Sequence, residues 1–379
     1  MMYYKTLKIR LFPTKEQEEI MRKHVHAARF IWNYMLNMEL ERYKNGESYF
    51  SNNEMSKIIT QMKKEEQYSW LNDVAVHTLY LICDNLHNTY MKMFDHKCNL
   101  PRFKSRKKSN IYFPLRQYIG AVYFKNNLLT LPKIGKVKYK TKYDIKQGRD
   151  VKIINPCIIN KNGKWVFCMR VLCENQTQQN TKGKMGIDLG IKNLAIVSFE
   201  NEQLVFDNIN KSKRMRNLYH KLKYLQRKVA RKYYHNRSFQ KTKNIEKIEL
   251  KIKDIYYHIS CIKHNYIHQI THKLISLLPQ RVVMETLYVT EMVKNKHLSK
   301  AIQEQNFNEF IRIMKYKCEI NGIEFIQADK YFPSSKTCSC CGKIKKNLKL
   351  SDRIYKCNYC GLIIDRDYNA AINLMNYGT

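Results

Sequence analysis

Acidic side chains are scarce in this sequence beside the basic ones. Asp and Glu number 32 against 69 Lys and Arg, a formal net charge of +37. Residues 211–243 contain no carboxylate at all. Solubility alone needs no such excess, and a surface so positive repels itself unless it meets a polyanion. Long apolar runs are also missing: nothing approaches the ~20 residues needed to cross a bilayer, so no membrane partner is expected. The opening Met1-Met2-Tyr3-Tyr4-Lys5 lacks a signal-peptide core, which argues against secretion. No internal repeat is visible, so the chain is not expected to be a repeat array.

The 379 residues suffice for two or three domains with real cores. A hydrophobic content of 44% excludes a disordered basic tail. Solvated lysine faces, inflated by a Lys/Asn/Ile-rich bias, would account for part of the charge. The 27 Tyr and 15 Phe, however, interleave with the basic residues, which suits stacking as well as phosphate contact. A nucleic acid is therefore the expected partner. Of the 12 Cys, five lie between 338 and 360 and seven are scattered singly. That pattern points to metal ligands plus reduced buried thiols rather than disulfides.

Residues 4–12 alternate and stop at Pro13, a short strand. Thr14 then caps a helix, with Gln17 completing a capping box, and Ile20, Val25, Ala28, Ile31, Trp32 and Met35 follow at helical spacing. A second helical region runs roughly over 71–94 through Leu79, Ile82, Leu86 and Tyr90, so 16–97 is expected to be an all-helical insertion. Its His77, Tyr80 and Asn85 are open to a DNA-facing or a purely structural role. From 100 to about 173 the pattern changes. A basic run, Phe103-Lys104-Ser105-Arg106-Lys107-Lys108, precedes alternating segments at 121–124, 128–131, 136–139, 151–154 and 165–171. Turns fall at Lys125-Asn126-Asn127 and Lys161-Asn162-Gly163. We expect a small β-barrel joined by the first strand across the insertion; such barrels bind nucleic acid, and as often are only structural.

Polar residues 174–183 form a linker, and 185–188 with 193–199 form a hairpin around Gly190. Leu218, Leu222, Leu225 and Val229, then Ile248, Ile252, Ile255, Ile259 and Ile262, mark a helical hairpin with an apolar seam and a basic face. The loop 233–241 between them carries no carboxylate.

Three acidic residues stand at distinctive places. Met185-Gly186-Ile187-Asp188-Leu189-Gly190 is an apolar strand reaching Asp188, beside a glycine that lets the backbone turn. Val282-Val283-Met284-Glu285 is a buried strand ending in Glu285. Asp367-Tyr368-Asn369-Ala370-Ala371 opens a helix whose small residues allow close packing. Singly, Asp367 reads as a helix N-cap and Glu285 as a salt-bridge partner. Together they match two-metal phosphodiester hydrolysis, which needs carboxylates on rigid elements holding two hard cations, here Mg²⁺, ~3.5–4 Å apart. The order Asp, Glu, Asp on a first strand, a later strand and a final helix is that of a RuvC-type RNase H fold. DDE transposases run Asp, Asp, Glu instead. Asp365 competes with Asp367 and ranks second, because the Asp-x-Asn-Ala-Ala spacing attaches to Asp367.

Cys338-Ser339-Cys340-Cys341-Gly342 and Cys357-Asn358-Tyr359-Cys360-Gly361 are two knuckles fifteen residues apart, a zinc-ribbon spacing. Cys338, Cys341, Cys357 and Cys360 are the expected Zn²⁺ ligands. Cys340 is spare, or replaces Cys341 or Cys338 in a strained variant. The zinc is expected to be structural, folding a segment too small for its own core. Its basic Lys343, Lys345, Lys346 and Lys349 are available to nucleic acid.

On these residues the chain resembles the TnpB family of transposon-encoded, RNA-guided DNA endonucleases, relatives of the type V CRISPR effectors. The matching segments are Gly186-Ile187-Asp188-Leu189-Gly190, 282–287, Phe332-Pro333-Ser334-Ser335-Lys336-Thr337-Cys338, the second knuckle and 365–373. Leu11-Phe12-Pro13-Thr14-Lys15-Glu16-Gln17 and Phe30-Ile31-Trp32-Asn33-Tyr34 also fit. The resemblance implies a multidomain α/β protein. Residues 1–15 and 98–180 would form a wedge β-barrel, and 16–97 a helical recognition domain. A RuvC-like nuclease domain would comprise 181–335 and 361–379, with a zinc-ribbon target-nucleic-acid-binding insertion at 336–360. It also implies a guide RNA, a target double-stranded DNA, a flanking motif read by the N-terminal half, and one Mg²⁺-dependent site cutting both strands. Asp188, Glu285 and Asp367 match the family's catalytic positions. The implied setting is prokaryotic cytoplasm, nucleoid-associated, with one chain on its RNA. Two departures are that Thr286 follows the glutamate where Asp or Asn is usual, and that few residues follow Asn373.

Three functions compete on this sequence. A guided nuclease uses base pairing for recognition. A guided DNA-binding repressor would have a disabled site, which an intact trio opposes. A DDE-type transposase is opposed by the motif order.

Overall fold

The computed structural model describes residues 2–106, 111–116, 121–143, 145, 148, 153–174, 183–200, 202–235, 241–349 and 352–378. The chain divides into two compact units, Met2–Cys173 and Glu174–Thr379.

In the first unit, β1 (Met2–Phe12) stops at Pro13, and Thr14 caps α1 (Lys15–Lys44). The capping box is reciprocal: the Gln17 amide donates to Thr14 Oγ1, and the Thr14 amide donates to Gln17 Oε1. The apolar positions Met21, Val25, Ala28, Ile31 and Met35 are buried along one face, as their spacing predicts. A helix absent from the sequence expectation follows, α2 (Asn52–Met62), with its own box of Ser51 and Glu54. The expected 71–94 helix is a 3-10 turn, Glu66–Asp73, then α3 (Val76–Phe94). On α3, His77, Tyr80 and Asn85 contact Arg116, Thr60 and Tyr112 within this unit.

The strands are β2 (Ile111–Pro114), β3 (Tyr123–Lys125), β4 (Leu128–Leu131), β5 (Gly135–Lys140), β6 (Ile154–Lys161) and β7 (Lys164–Glu174). With β1 they form a seven-stranded sheet in the order β2-β6-β7-β1-β5-β4-β3, so the first strand does join the later ones across the helices. Asn126 and Asn127 (φ 50° and 57°) and Asn162 and Gly163 (φ 52° and 83°) make the two expected tight turns. The strand expected at 151–154 instead runs from Ile154 to Lys161, through a register shift and past Pro156. Residues 151–152, the end of the basic run at 107–108 and the linker residues 175–182 lie outside the described residues.

Glu39 is a carboxylate inside this core, 1% exposed, accepting the Phe50 amide at 3.1 and 3.3 Å. Burial pushes its carboxyl from the ordinary 4.5 up to about 7, against the pull of that amide and of Arg42. A folded value above the unfolded one adds stability fully below pH 4.5, lost as pH rises through about 7. Glu39→Gln keeps an acceptor and removes the titration. We expect it to flatten the pH dependence of melting across that window and to raise the melting temperature at mildly alkaline pH, read by calorimetry; an unchanged profile would contradict this.

In the second unit, β8 (Lys184–Leu189), β9 (Asn193–Phe199) and β10 (Glu202–Asp207) run antiparallel. The helical hairpin is α4 (Lys213–His235) and α5 (Lys243–Ile275), packed through Met215, Leu222, Leu225, Ile248, Ile255 and Ile259. Of its connecting loop, residues 236–240 lie outside the described residues. Next come β11 (Arg281–Met284), α6 (Val289–Met292), α7 (Ser299–Gln305), α8 (Phe307–Ile320) and β12 (Glu324–Gln327). A two-stranded β13 (Ile354–Lys356) and β14 (Ile363–Asp365) leads into α9 (Arg366–Met375). The main sheet is ordered β10-β9-β8-β11-β12, with β11 parallel to both β8 and β12. Among the described residues no helix is long and apolar enough to cross a membrane.

Candidate active site

Strand register does the first placing. β11 lies parallel to β8 with Met284 opposite Ile187. The next residues, Glu285 and Asp188, therefore sit side by side at the carboxyl ends of adjacent parallel strands, the usual edge for sites in α/β sheets.

The third carboxylate arrives on α9, which packs onto β8 and β9. Gly186 makes that approach possible. A Cβ there would meet the Ala371 carbonyl oxygen and the Met375 amide nitrogen, and would lie 2.9 Å from Met375 Cα. Asp365 is the N-cap of α9, its Oδ1 accepting the amides of Asp367 (2.9 Å) and Tyr368 (3.0 Å). The cap role considered for Asp367 thus belongs to its neighbour. Asp367 lies in the first turn, its side chain 18% exposed.

The electrostatics follow from this crowding. Withdrawal from water holds the Asp188 carboxyl well above the usual carboxylate range, and the charges of Glu285 and Asp367 add to the rise. Glu285 is also raised, chiefly by burial, against the pull of the Ser334 hydroxyl, which donates to its Oε1. Asp188 and Glu285 share a hydrogen bond. Such a group must keep a proton unless a cation takes its place. Arg366 Nε stands 3.7 Å from Asp367 Oδ1 and Arg353 Nη1 3.8 Å from Oδ2. Arg366 Nη1 also donates to the carbonyls of Lys349 (3.3 Å) and Asp352 (3.2 Å). The trio is wider than a set of donors all within 4.8 Å of one another, a spacing met among the described residues by the cysteine quartet. One ion would need a tighter set, whereas two ions ~3.5–4 Å apart suit a broader one. The donors are hard oxygens, so the residues present fit Mg²⁺.

A polar network holds this arrangement. Asn373 Nδ2 donates to the carbonyls of Ser334 and Thr337, both at 2.7 Å. Asn369 Nδ2 donates to Thr337 O at 2.7 Å, and its Oδ1 accepts the Ser339 amide at 3.0 Å. The loop 333–339 therefore ties Glu285, through Ser334, to the helix carrying Asp367. Thr286, the residue departing from the family pattern, donates to Ala328 O at 2.6 Å. Beside it a cavity of about 290 Å³ is lined by Glu285, Ser334, Lys330 and Lys336 among others.

The cysteine quartet adjoins α9 in sequence. Sγ of Cys338 and Cys360, and of Cys341 and Cys357, are each 3.6 Å apart, and all four lie within 4.8 Å of one another. Cys340 is outside the group. A tetrahedron with ~2.3 Å arms has edges of ~3.8 Å, so the four sulfurs fit zinc. Amides of Cys360 and Tyr359 bring the Cys357 thiol down to about 6, favouring thiolate.

Sequence comparison bears on the same segments. A family model described as "Probable transposase" matches residues 167–296, "Cas12f1-like, TNB domain" matches 307–374, and "Helix-turn-helix domain" matches 1–48. The last of these segments is here a strand followed by one long helix. A Streptomyces pristinaespiralis protein named "Putative RNA-guided DNA endonuclease" is 27% identical over 99% of this chain and 89% of its own. "TnpB-like protein L79" of Acanthamoeba polyphaga mimivirus is 23% identical over 98% of this chain and 72% of its own. Over nearly its whole length the chain is similar to the TnpB family. InsQ of Escherichia coli (strain K12), which carries the same name as the Streptomyces protein, is 26% identical over 98% of this chain and 91% of its own. In fold, the chain follows the protein of a cryo-EM Cas12f1–sgRNA–target DNA complex, with TM-score 0.61, 15% identity and 99% of both chains covered.

Sequence reasoning overlooked Ser334, Asn369, Asn373 and the packing role of Gly186. A signal existed for the asparagines. They stand four apart on the face that also carries Ala370 and Leu374, and a polar side chain on a buried face needs partners. Ser334 and Gly186 act through neighbours remote in sequence.

β14 leaves the second knuckle and runs straight into α9, so the ribbon positions Asp367. We expect Cys357→Ser to release zinc, lower the melting temperature by roughly 5 °C or more, and reduce DNA cleavage with it. Unchanged zinc content by atomic absorption, with unchanged melting, would overturn the ligand assignment.

Proposed function

We propose that this chain is the RNA-guided DNA endonuclease of a transposable element, carrying a guide RNA and cutting double-stranded DNA beside a short flanking motif. The observation that carries this proposal is the meeting of Asp188, Glu285 and Asp367 at one end of the five-stranded sheet. The names of the full-length relatives support it. We read that sheet with α9 as a RuvC-type nuclease domain (181–335 and 361–379) and 336–360 as its zinc-bearing, target-binding insertion. The seven-stranded sheet (1–15 and 98–180) is read as the wedge, and 16–97 as the recognition helices, with one chain acting per RNA.

Asp188, Glu285 and Asp367 would hold two Mg²⁺ ions. Bound there, divalent cations activate the attacking water and stabilise the leaving oxygen. The chain's own part is positioning. Two strand ends fix Asp188 and Glu285, the Ser334 hydroxyl holds one Glu285 oxygen, and α9 delivers Asp367. Arg353 and Arg366 place two guanidinium charges beside the trio, where a phosphodiester is attracted. The excess of 69 Lys and Arg over 32 acidic residues neutralises phosphates elsewhere along the nucleic acid. Guide pairing supplies sequence recognition, while the protein reads shape and the flanking motif.

The test is to sequence the RNA that co-purifies and offer a plasmid carrying its match behind randomised flanks. We expect Mg²⁺-dependent linearisation, abolished by Asp188→Ala with RNA retention unchanged. DNA binding without cutting by the unsubstituted protein would favour the guided repressor, and strand transfer without RNA the transposase.

A further inference from the structure

α1 has a second face that the core does not use. Opposite Met21, Val25 and Ala28, its residues from Glu19 to Asn37 recur every three or four positions along a groove of about 820 Å³ that Trp70 and Phe103 also line. That volume lies within the ~300–1,000 Å³ range of small-ligand sites. The groove is walled by aromatic rings: Phe30 and Trp70 meet at 5.3 Å and 66°, and Phe30 lies 5.7 Å from Tyr68 and 5.8 Å from Tyr34. Trp70 is 39% exposed and Phe103 55%, whereas Trp32 and Trp165 are buried.

Phe103 is held out in solvent by the backbone on both sides of it. Trp32 Nε1 donates to Arg102 O at 3.0 Å. Asn33 Nδ2 donates to Lys104 O at 2.9 Å, and the Lys104 amide returns a bond to Asn33 Oδ1 at 2.7 Å. The Lys104 ammonium sits 3.3 Å over the Trp32 ring. The segment is therefore fastened to α1, so Phe103 cannot fold inward to bury itself. Arg22, Lys23, His26 and Arg29 stand on the same face. Arg22 pairs with Glu18 and Lys23 with Asp73, while the Arg29 guanidinium contacts His26.

Flat rings kept exposed beside a basic rim are what an unstacked nucleobase and its phosphate require. Each base–aromatic stack gives sequence-tolerant affinity, and arginine adds cation–π and phosphate contact. Arg22 and Lys23 already have acidic partners, but a purely hydrophobic partner would offer no anion to the Arg29 guanidinium, whose contact is the neutralisable His26 ring. We propose that this groove binds an unpaired base of single-stranded nucleic acid, a site separate from the carboxylate trio. The proposal rests on the nucleic-acid function above and adds a second place of contact.

Trp70 is the reporter. The full chain, freed of co-purified RNA by high salt, is titrated with oligo(U), oligo(dT) and a blunt DNA duplex, following tryptophan fluorescence and anisotropy of labelled oligonucleotide together. We expect single strands to quench the fluorescence and the duplex to leave it unchanged. Trp70→Phe should remove the quenching, and Phe103→Ala should weaken single-strand affinity about tenfold with unchanged melting, restored by Phe103→Tyr. Asp188→Ala should leave all of this unaltered. Quenching by oligo(U) alone assigns the base to guide RNA, and by oligo(dT) alone to a separated DNA strand; both support the site. Binding by anisotropy without quenching, or full affinity in Phe103→Ala, overturns the groove and leaves the nuclease reading intact. No oligonucleotide binding at all overturns both. Quenching that grows with protein concentration alone assigns the groove to a second copy and also overturns the site.

Discussion

Replacing Gly186 by alanine is expected to lower DNA cleavage about a hundredfold while RNA binding stays as it was. The added methyl would strike the backbone of α9 at Ala371 and Met375 rather than a side chain that can swing away. The helix itself must shift, at a cost of about 1–3 kcal/mol typical of overpacking. Asp367 rides on the first turn of that helix. A displacement of ~1 Å at a catalytic group is enough for a loss of this order. The zinc quartet does not touch Gly186, so metal content should be unchanged, and the variant should melt somewhat earlier. Single-turnover cleavage beside RNA binding checks this. Cleavage at the unsubstituted rate would mean that the seating of α9 does not govern the site.

The second large effect separates two aspartates two residues apart. Asp367→Asn is expected to lower cleavage about a thousandfold or more, since it removes a charge asked to contribute several kcal/mol through bound cations. Asp365→Asn is expected to be nearly silent. Its Oδ1 caps α9 by accepting the amides of Asp367 and Tyr368, and asparagine caps about as well as aspartate. Asp365→Ala should cost about 1 kcal/mol of stability for the lost cap and only a modest part of the rate. The reverse ranking of the two asparagine variants would move the metal-binding role to Asp365.

Much of the framework was legible in the residues because it depends on local rules. The Thr14–Gln17 box, the tight asparagine turns, the paired stripes of α4 and α5 and the knuckle spacing of the cysteines are all short-range signals, and the elements formed where they stand. Other elements were missed, among them β2, β10, α8 and β12, and two of the misses have a clear physical reason. α2 announced itself by Ser51 and Glu54, but its apolar Met55, Ile59 and Met62 make a stripe of only three. β6 was obscured by Pro156, which reads as a strand breaker. It survives beside a register shift where Asn155 takes a φ of 46°.

The candidate site divides along the same line. Asp188, Glu285 and Asp367 could be named from strand ends and a helix start. Their meeting depends on parallel pairing of β8 with β11 and on the close seat of α9, which no local pattern encodes. Asp365 ranked second to Asp367 as a ligand on sequence spacing, and the structure gives it the helix cap that the sequence also allowed for Asp367. Ser334, Asn369 and Asn373 form bonds between segments up to 49 residues apart, and so left only the weak trace of polar side chains on an apolar face.

The central claim is that three carboxylates remote in sequence share a pair of divalent ions. Its most direct test is electron paramagnetic resonance of Mn²⁺ bound to the RNA-loaded protein on a non-cleavable phosphorothioate target. We predict a spin-coupled manganese pair that disappears when any one of Asp188, Glu285 or Asp367 is replaced by alanine, while RNA and DNA remain bound. Manganese binding that is unchanged in all three variants would contradict the account.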